Sequence, residues 1–172
     1  LRLKSVVWTG SLFVAVGTDY DSTRGSDWFG VVYTSSEGFQ WTRRYVDPSP
    51  GTGLNVVAYG DGAILAGGDG GTLLRSLDGV VFTRMSGPSG WDATRTVEGI
   101  AFGEGKFIVT AHLRSVSKDN GSPVVAASLD KGNSWQNLFS GSGLEDWQDF
   151  RAIAWLNGRF VASGWYSKLR TS

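Results

Sequence analysis

One pattern recurs four times along the chain: an apolar strand, a glycine turn and a second apolar strand. The first members are Ser5-Val6-Val7-Trp8, Asn55-Val56-Val57-Ala58-Tyr59, Gly99-Ile100-Ala101-Phe102 and Ala152-Ile153-Ala154-Trp155. Turns follow at Thr9-Gly10-Ser11, Gly60-Asp61-Gly62, Gly103-Glu104-Gly105 and Leu156-Asn157-Gly158. The second strands begin at Phe13, Ile64, Phe107 and Phe160 and interleave small residues among large ones, as strands buried on both faces do. A recurrence of about 40–55 residues fixes the unit of folding before any single residue does.

A third strand follows each hairpin, at Val31-Val32-Tyr33-Thr34, Thr72-Leu73-Leu74-Arg75, Val124-Val125-Ala126-Ala127 and Lys168-Leu169-Arg170-Thr171. After the first three of these comes a polar turn ending in an aromatic: Ser35-Ser36-Glu37-Gly38-Phe39-Gln40-Trp41, Ser76-Leu77-Asp78-Gly79-Val80-Val81-Phe82 and Ser128-Leu129-Asp130-Lys131-Gly132-Asn133-Ser134-Trp135. The aromatic opens a fourth strand. Each unit is thus a four-stranded antiparallel meander, apolar on both faces, and radial stacking of such sheets buries both. The expected architecture is all-β, a β-propeller with blades at about 1–48, 49–90, 91–142 and an incomplete 143–172, as part of a larger propeller. No stretch shows apolar residues at sustained helical spacing, and 25 glycines argue against helices.

Composition narrows the partners. Sixteen basic and sixteen acidic residues cancel, leaving no electrostatic footprint for nucleic acid. No apolar run approaches the roughly 20 residues that span a bilayer. There is no cysteine for a disulfide or thiolate metal site, and no cofactor or metal is expected.

The polar turns resemble the Asp-box, or bacterial neuraminidase, repeat, Ser-x-Asp-x-Gly-x-Thr-Trp. Ser128, Asp130, Gly132 and Trp135 match it at full length. Ser76, Asp78, Gly79 and Phe82 form a version one residue shorter, and Ser35, Glu37, Gly38 and Trp41 a version with Glu for Asp. Repeats of this kind are similar to those of phage tail and secreted bacterial proteins, which implies a virion-surface or extracellular setting. The motif's hydroxyl, carboxylate and glycine suit a tight turn, so a structural role is expected rather than a catalytic one.

Strand order puts these turns on one face and the longer loops on the other. Loops on a rigid scaffold are where binding resides. On that second face Tyr20, Trp28, Trp91, Trp147 and Trp165 are the candidate ligand-binding residues, suited to stacking on sugar rings. Trp8, Tyr59, Phe102 and Trp155 share one repeating position and are expected in the core. The expected function is a non-catalytic binding or assembly module for a glycan or a protein, with further blades or another subunit as partner. The alternative is a sialidase- or xyloglucanase-like glycoside hydrolase drawing on Asp19, Asp21, Asp27, Asp92, Glu145, Asp146 or Asp149. Spacing selects no pair among these acids, and the Arg-Ile-Pro element that the resemblance would imply for a sialidase does not occur. Arg95 and Arg151 lie near inner-strand starts, and His112 is expected in a loop.

Overall fold

The computed structural model describes residues 1–25, 27–113, 124–140, 150–164 and 170–171. Four antiparallel sheets follow one another along the chain. The first holds β1 (Arg2–Trp8), β2 (Phe13–Asp21), β3 (Asp27–Ser35) and β4 (Thr42–Val46) in sequence order. The second holds β5 (Leu54–Gly60), β6 (Ala63–Gly68), β7 (Leu73–Ser76) and β8 (Thr83–Arg84). β9 (Arg95–Gly103), β10 (Lys106–Leu113), β11 (Val124–Ser128) and β12 (Gln136–Ser140) form the third. Among the described residues the last sheet has three strands, β13 (Ala152–Leu156), β14 (Arg159–Ser163) and β15 (Arg170–Thr171). Each sheet is a blade of a β-propeller, its first strand innermost.

In blades 2 to 4 the hairpins joining first and second strands owe their geometry to paired positive φ angles. Asp61-Gly62 (φ 47° and 72°), Glu104-Gly105 (48° and 72°) and Asn157-Gly158 (47° and 76°) occupy the two central positions. That is the type I′ requirement, whose twist matches the flanking strands.

Every blade has one face toward its predecessor and one toward its successor, and the apolar residues sort accordingly. Leu54, Val57, Ile64, Leu74 and Phe82 of blade 2 meet Val14, Val16 and Val32 of blade 1 in one buried cluster. Val97, Ile100, Phe107 and Ala126 of blade 3 meet Ala58 and Leu65 of blade 2 in the next. Ile153, Trp155 and Phe160 of blade 4 meet Ala101, Ile108 and Ala127 of blade 3 in the third. All six residues of β6 are buried, as a strand sandwiched between blades requires.

The inner-strand aromatics interlock through glycine. A Cβ on Gly60 would overlap the Phe102 ring, and one on Gly103 would overlap Trp155. Phe102 and Trp155 are therefore interblade contacts, as the sequence suggests for that position. Trp8 departs from the expectation. It is 47% exposed, with the Phe13 ring of its own blade 4.4 Å away, and Tyr59, at the same position in blade 2, departs likewise at 36%.

Repeat position and environment can thus be separated. Leu3 and Leu54 hold the same place in successive blades, each opposite a glycine of the second strand, Gly17 or Gly68. Leu54 is 1% exposed and Leu3 47%. Leu54→Ala is expected to cost about 2–5 kcal/mol, transfer and cavity together. Leu3→Ala should stay within about 0.5 kcal/mol in dilute urea titrations. Equal losses at both sites would contradict the blade-facing assignment.

Candidate functional site

The Ser-x-Asp turns join third to fourth strands, and their polar groups are consumed by the turns. In blade 2, Gly79 N–H donates to Ser76 Oγ at 2.9 Å, while Val80 and Val81 N–H donate to Asp78 Oδ1 at 2.8 and 2.9 Å. In blade 3, Gly132 N–H donates to Ser128 Oγ at 2.8 Å. There Ser134 donates to Asp130 from its N–H at 2.8 Å and from its hydroxyl at 2.6 Å. In blade 1 the Ser35 hydroxyl takes the N–H groups of Glu37 and Gly38, and Trp41 Nε1 donates to the Gly38 carbonyl. The closing aromatics Phe82 and Trp135 pack into the junctions with blades 1 and 2. Trp41, which no other described sheet covers, is 37% exposed.

Hydrogen bonds from the Ser134 hydroxyl and N–H hold Asp130 at a pKa of about 2, below its ordinary 3.8. A depressed carboxyl contributes stability above its unfolded value and loses it as pH falls through its folded one. Asp130→Asn should therefore remove part of the stability loss seen between about pH 4 and pH 2. Thermal melts of variant and parent across that range check this, and a parallel fall in both would contradict it.

The opposite face carries a different set of groups. Where a loop is expected from Thr18 to Phe29, the β2–β3 ladder continues instead, through Tyr20↔Trp28 to Asp21↔Asp27. A short 3-10 turn at Ser22–Arg24 closes it, capped by Asp21, which accepts from the Thr23 N–H and hydroxyl. The extended ladder makes Tyr20 and Trp28 direct cross-strand neighbours, with ring centroids 5.4 Å apart and edge to face. They are 48% and 36% exposed. The Arg2 guanidinium lies over the Trp28 ring at 4.8 Å.

The other aromatic candidates part company with this pair. Trp91 is partly buried, packed against the blade 2–blade 3 cluster beside Met85, and belongs to that junction. Trp147 and Trp165 lie outside the described residues, as do Glu145, Asp146 and Asp149. His112 sits in β10 opposite Thr96 rather than in a loop, because that ladder also runs past its expected end.

A second group, largely missed in the sequence, crosses the four inner strands. The ladder shifts register around Lys4 in β1 and Asn55 in β5, and Glu98 occupies the same bulged place in β9. Arg151 precedes β13 at the equivalent offset. Lys4 Nζ donates to Asn55 Oδ1 at 2.7 Å, and Asn55 Nδ2 reaches the Val97 carbonyl and Asp69 Oδ1 at 3.3 Å each. Arg151 lies 3.9 Å from Glu98. The signal was available: a polar residue stands two places before Val6, Val57, Ile100 and Ile153 alike. Arg2, two residues before Lys4, connects this polar chain to Trp28 along β1.

The remaining described carboxylates of this face serve local structure. Asp19 pairs with the terminal amine at 3.2 Å and Arg43 at 3.9 Å. Asp27 accepts the Trp28 N–H. Asp92 accepts from the Thr94 hydroxyl and N–H, which lowers its pKa, and the Thr23 hydroxyl and N–H lower that of Asp21 in the same way. Asp47, fully buried between blades 1 and 2, meets Arg84 at 3.2 Å and the Tyr45 hydroxyl at 3.4 Å. Burial first, then the Asp47 charge, raises the Tyr45 pKa.

No protein-family model matches the chain, and no curated protein matches it. Solved structures do. The computationally designed Ika4 protein aligns over 99% of this chain and 90% of its own, at 11% identity and a TM-score of 0.62. An ancestral GH74 enzyme aligns over 94% at 16% identity and a TM-score of 0.70, with this chain spanning 24% of it. Trypanosoma rangeli sialidase aligns over 92% at 16% identity and a TM-score of 0.56, with 33% of it spanned. The fold is a sialidase-like β-propeller. At such identities the likeness is one of architecture, and architecture of this kind hosts unrelated chemistries.

Proposed function

We propose that this propeller unit is a non-catalytic binding module that takes a glycan on the face carrying Tyr20 and Trp28. The observation that carries it is that exposed cross-strand aromatic pair, held rigid by a ladder that continues to Asp21↔Asp27. An aromatic ring braced edge to face by its cross-strand neighbour suits a sugar ring, because less entropy is lost on binding than with an unsupported side chain. The adjoining chain of Arg2, Lys4, Asn55, Glu98 and Arg151 mixes donors and acceptors with charges of both signs. Such a set suits hydroxyl groups better than a highly charged polymer. Asp21 and Asp92 are held below the ordinary carboxyl range, which makes them unsuited to the general-acid role of a glycosidase. A virion-surface or extracellular setting belongs to the same proposal and rests on the likeness of the repeats.

A glycan array followed by calorimetry tests it. Trp28→Ala and Tyr20→Ala should each weaken the best glycan at least about tenfold, or 1.4 kcal/mol. Asp61→Ala, in a turn on the opposite face, should bind as the parent does. Binding by Trp28→Ala that equals the parent's on every sugar would sink the aromatic-platform reading. Turnover of a bound glycan by the chain would sink the non-catalytic one.

A further inference from the structure

We propose that Lys4, Asn55 and Asp69, gathered over Gly53, form a second sugar subsite beside the Tyr20–Trp28 pair and select an uncharged sugar with two adjacent hydroxyl groups. The proposal rests on the glycan reading and adds to it the class of sugar and the residues that choose it.

The place follows from the strands. Thr18 stands two residues before Tyr20 in β2 and projects to the same side of blade 1. That side meets blade 2: a Cβ on Gly30, the cross-strand partner of Thr18, would lie 3.2 Å from Leu54 Cγ. Gly53 precedes Leu54. A Cβ there would lie 2.9 Å from Thr18 Cγ2, 2.9 Å from Asp69 Oδ2 and 3.7 Å from Lys4 Nζ. Glycine thus lets side chains of two blades converge on one point. Gly53 is buried beneath them, while Lys4 is exposed and Asn55 and Asp69 are half-buried. Two residues of extended strand, about 7 Å, separate this point from the aromatic pair. An oligosaccharide with one ring on Trp28 can set the next over Lys4 and Asp69.

The repeat itself does not call for this arrangement. Arg2 and Thr96 hold the place of Gly53 in blades 1 and 3, opposite Thr18 and His112 as Gly53 is opposite Asp69. Among the described residues, only the junction of blades 1 and 2 combines a glycine with a carboxylate there.

Asn55 keeps the two charges apart. Its Oδ1 accepts from Lys4 Nζ at 2.7 Å, and its Nδ2 donates to Asp69 Oδ1 at 3.3 Å. The same oxygen takes the Thr96 hydroxyl at 3.5 Å. The other N–H groups of the Lys4 ammonium and Oδ2 of Asp69 have no partner among the described residues. Adjacent hydroxyls satisfy both, one accepting from the ammonium and the other donating to the carboxylate, in hydrogen bonds that charge strengthens. The two charges cancel, and this sets the selection. A sugar carboxylate drawn to Lys4 would lie against Asp69, and a sugar ammonium drawn to Asp69 would lie against Lys4. A deoxy sugar would displace water from one charged group without replacing its hydrogen bond.

The probe is an array of hexose trisaccharides printed in matched uncharged, uronic-acid, amino and deoxy forms. The parent is expected to hold an uncharged form at least about tenfold more tightly than its charged and deoxy counterparts. Asp69→Asn should raise the uronic-acid form and Lys4→Met the amino form, each at least about tenfold relative to the uncharged one. Damage to the fold would weaken all forms together, so a change of selectivity reports the subsite. Lys4 is exposed, and Lys4→Met carries the test should Asp69→Asn lose its far-ultraviolet β spectrum. Binding that Trp28→Ala abolishes while both charge variants keep the parent's selectivity would overturn the subsite and leave the aromatic platform standing. A parent that prefers a charged form would overturn the subsite as well. Failure of the parent to bind any form would overturn the subsite and the platform together.

Discussion

The structure depends on one contact repeated: the predecessor-facing apolar side of a sheet against the successor-facing side of the sheet before it. A four-stranded meander with two apolar faces has nowhere to hide either of them alone. Each added blade buries one face of its own and one of its neighbour, which makes the junction the unit of stability in place of the blade. The Ser-x-Asp turns serve that contact. By tying their own N–H groups to Ser76 and Asp78, or to Ser128 and Asp130, they need no outside partner and can aim Phe82 and Trp135 into the neighbouring sheet.

Much of this is legible from the sequence because the strands, glycine turns and polar turns recur at fixed spacing. The division of each strand's residues between predecessor and successor follows once the period is seen. What escapes is how deeply each copy of a repeat position is covered. Trp8, Tyr59 and Phe102 occupy one repeat position, yet Trp8 and Tyr59 are exposed and Phe102 is packed over Gly60, a glycine that blade 1 replaces with Thr9. The extended β2–β3 ladder escapes for another reason. Thr18, Asp19, Asp21 and Asp27 are residues that ordinarily mark loops, and tertiary pairing overrides that preference, here with Asp21 and Asp27 as a terminal pair.

The two faces are accordingly unequal in what they offer a ligand. On the turn face Asp78 and Asp130 are engaged by backbone groups a few residues away, while Asp61 and Glu104 pair with Lys131 and Lys106. The opposite face has an aromatic pair projecting from an elongated hairpin and a polar chain passing from blade to blade. Trp91, similar in type and location along the chain, is instead absorbed by a junction, which shows that an aromatic's distance from the core decides its role more than its place in a connecting segment does.

The bulges at Lys4, Asn55 and Glu98 have a consequence for how such a protein changes over time. A bulge takes one residue out of the ladder and re-aims its side chain, here into polar contacts with the neighbouring blade. The residues on either side, Leu3 and Ser5 or Leu54 and Val56, keep their register whatever occupies the bulge. Substitution there touches polar contacts between blades and spares the apolar clusters. A propeller built this way can acquire a new recognition surface by exchanging a handful of side chains while the junctions that hold it together are inherited unaltered.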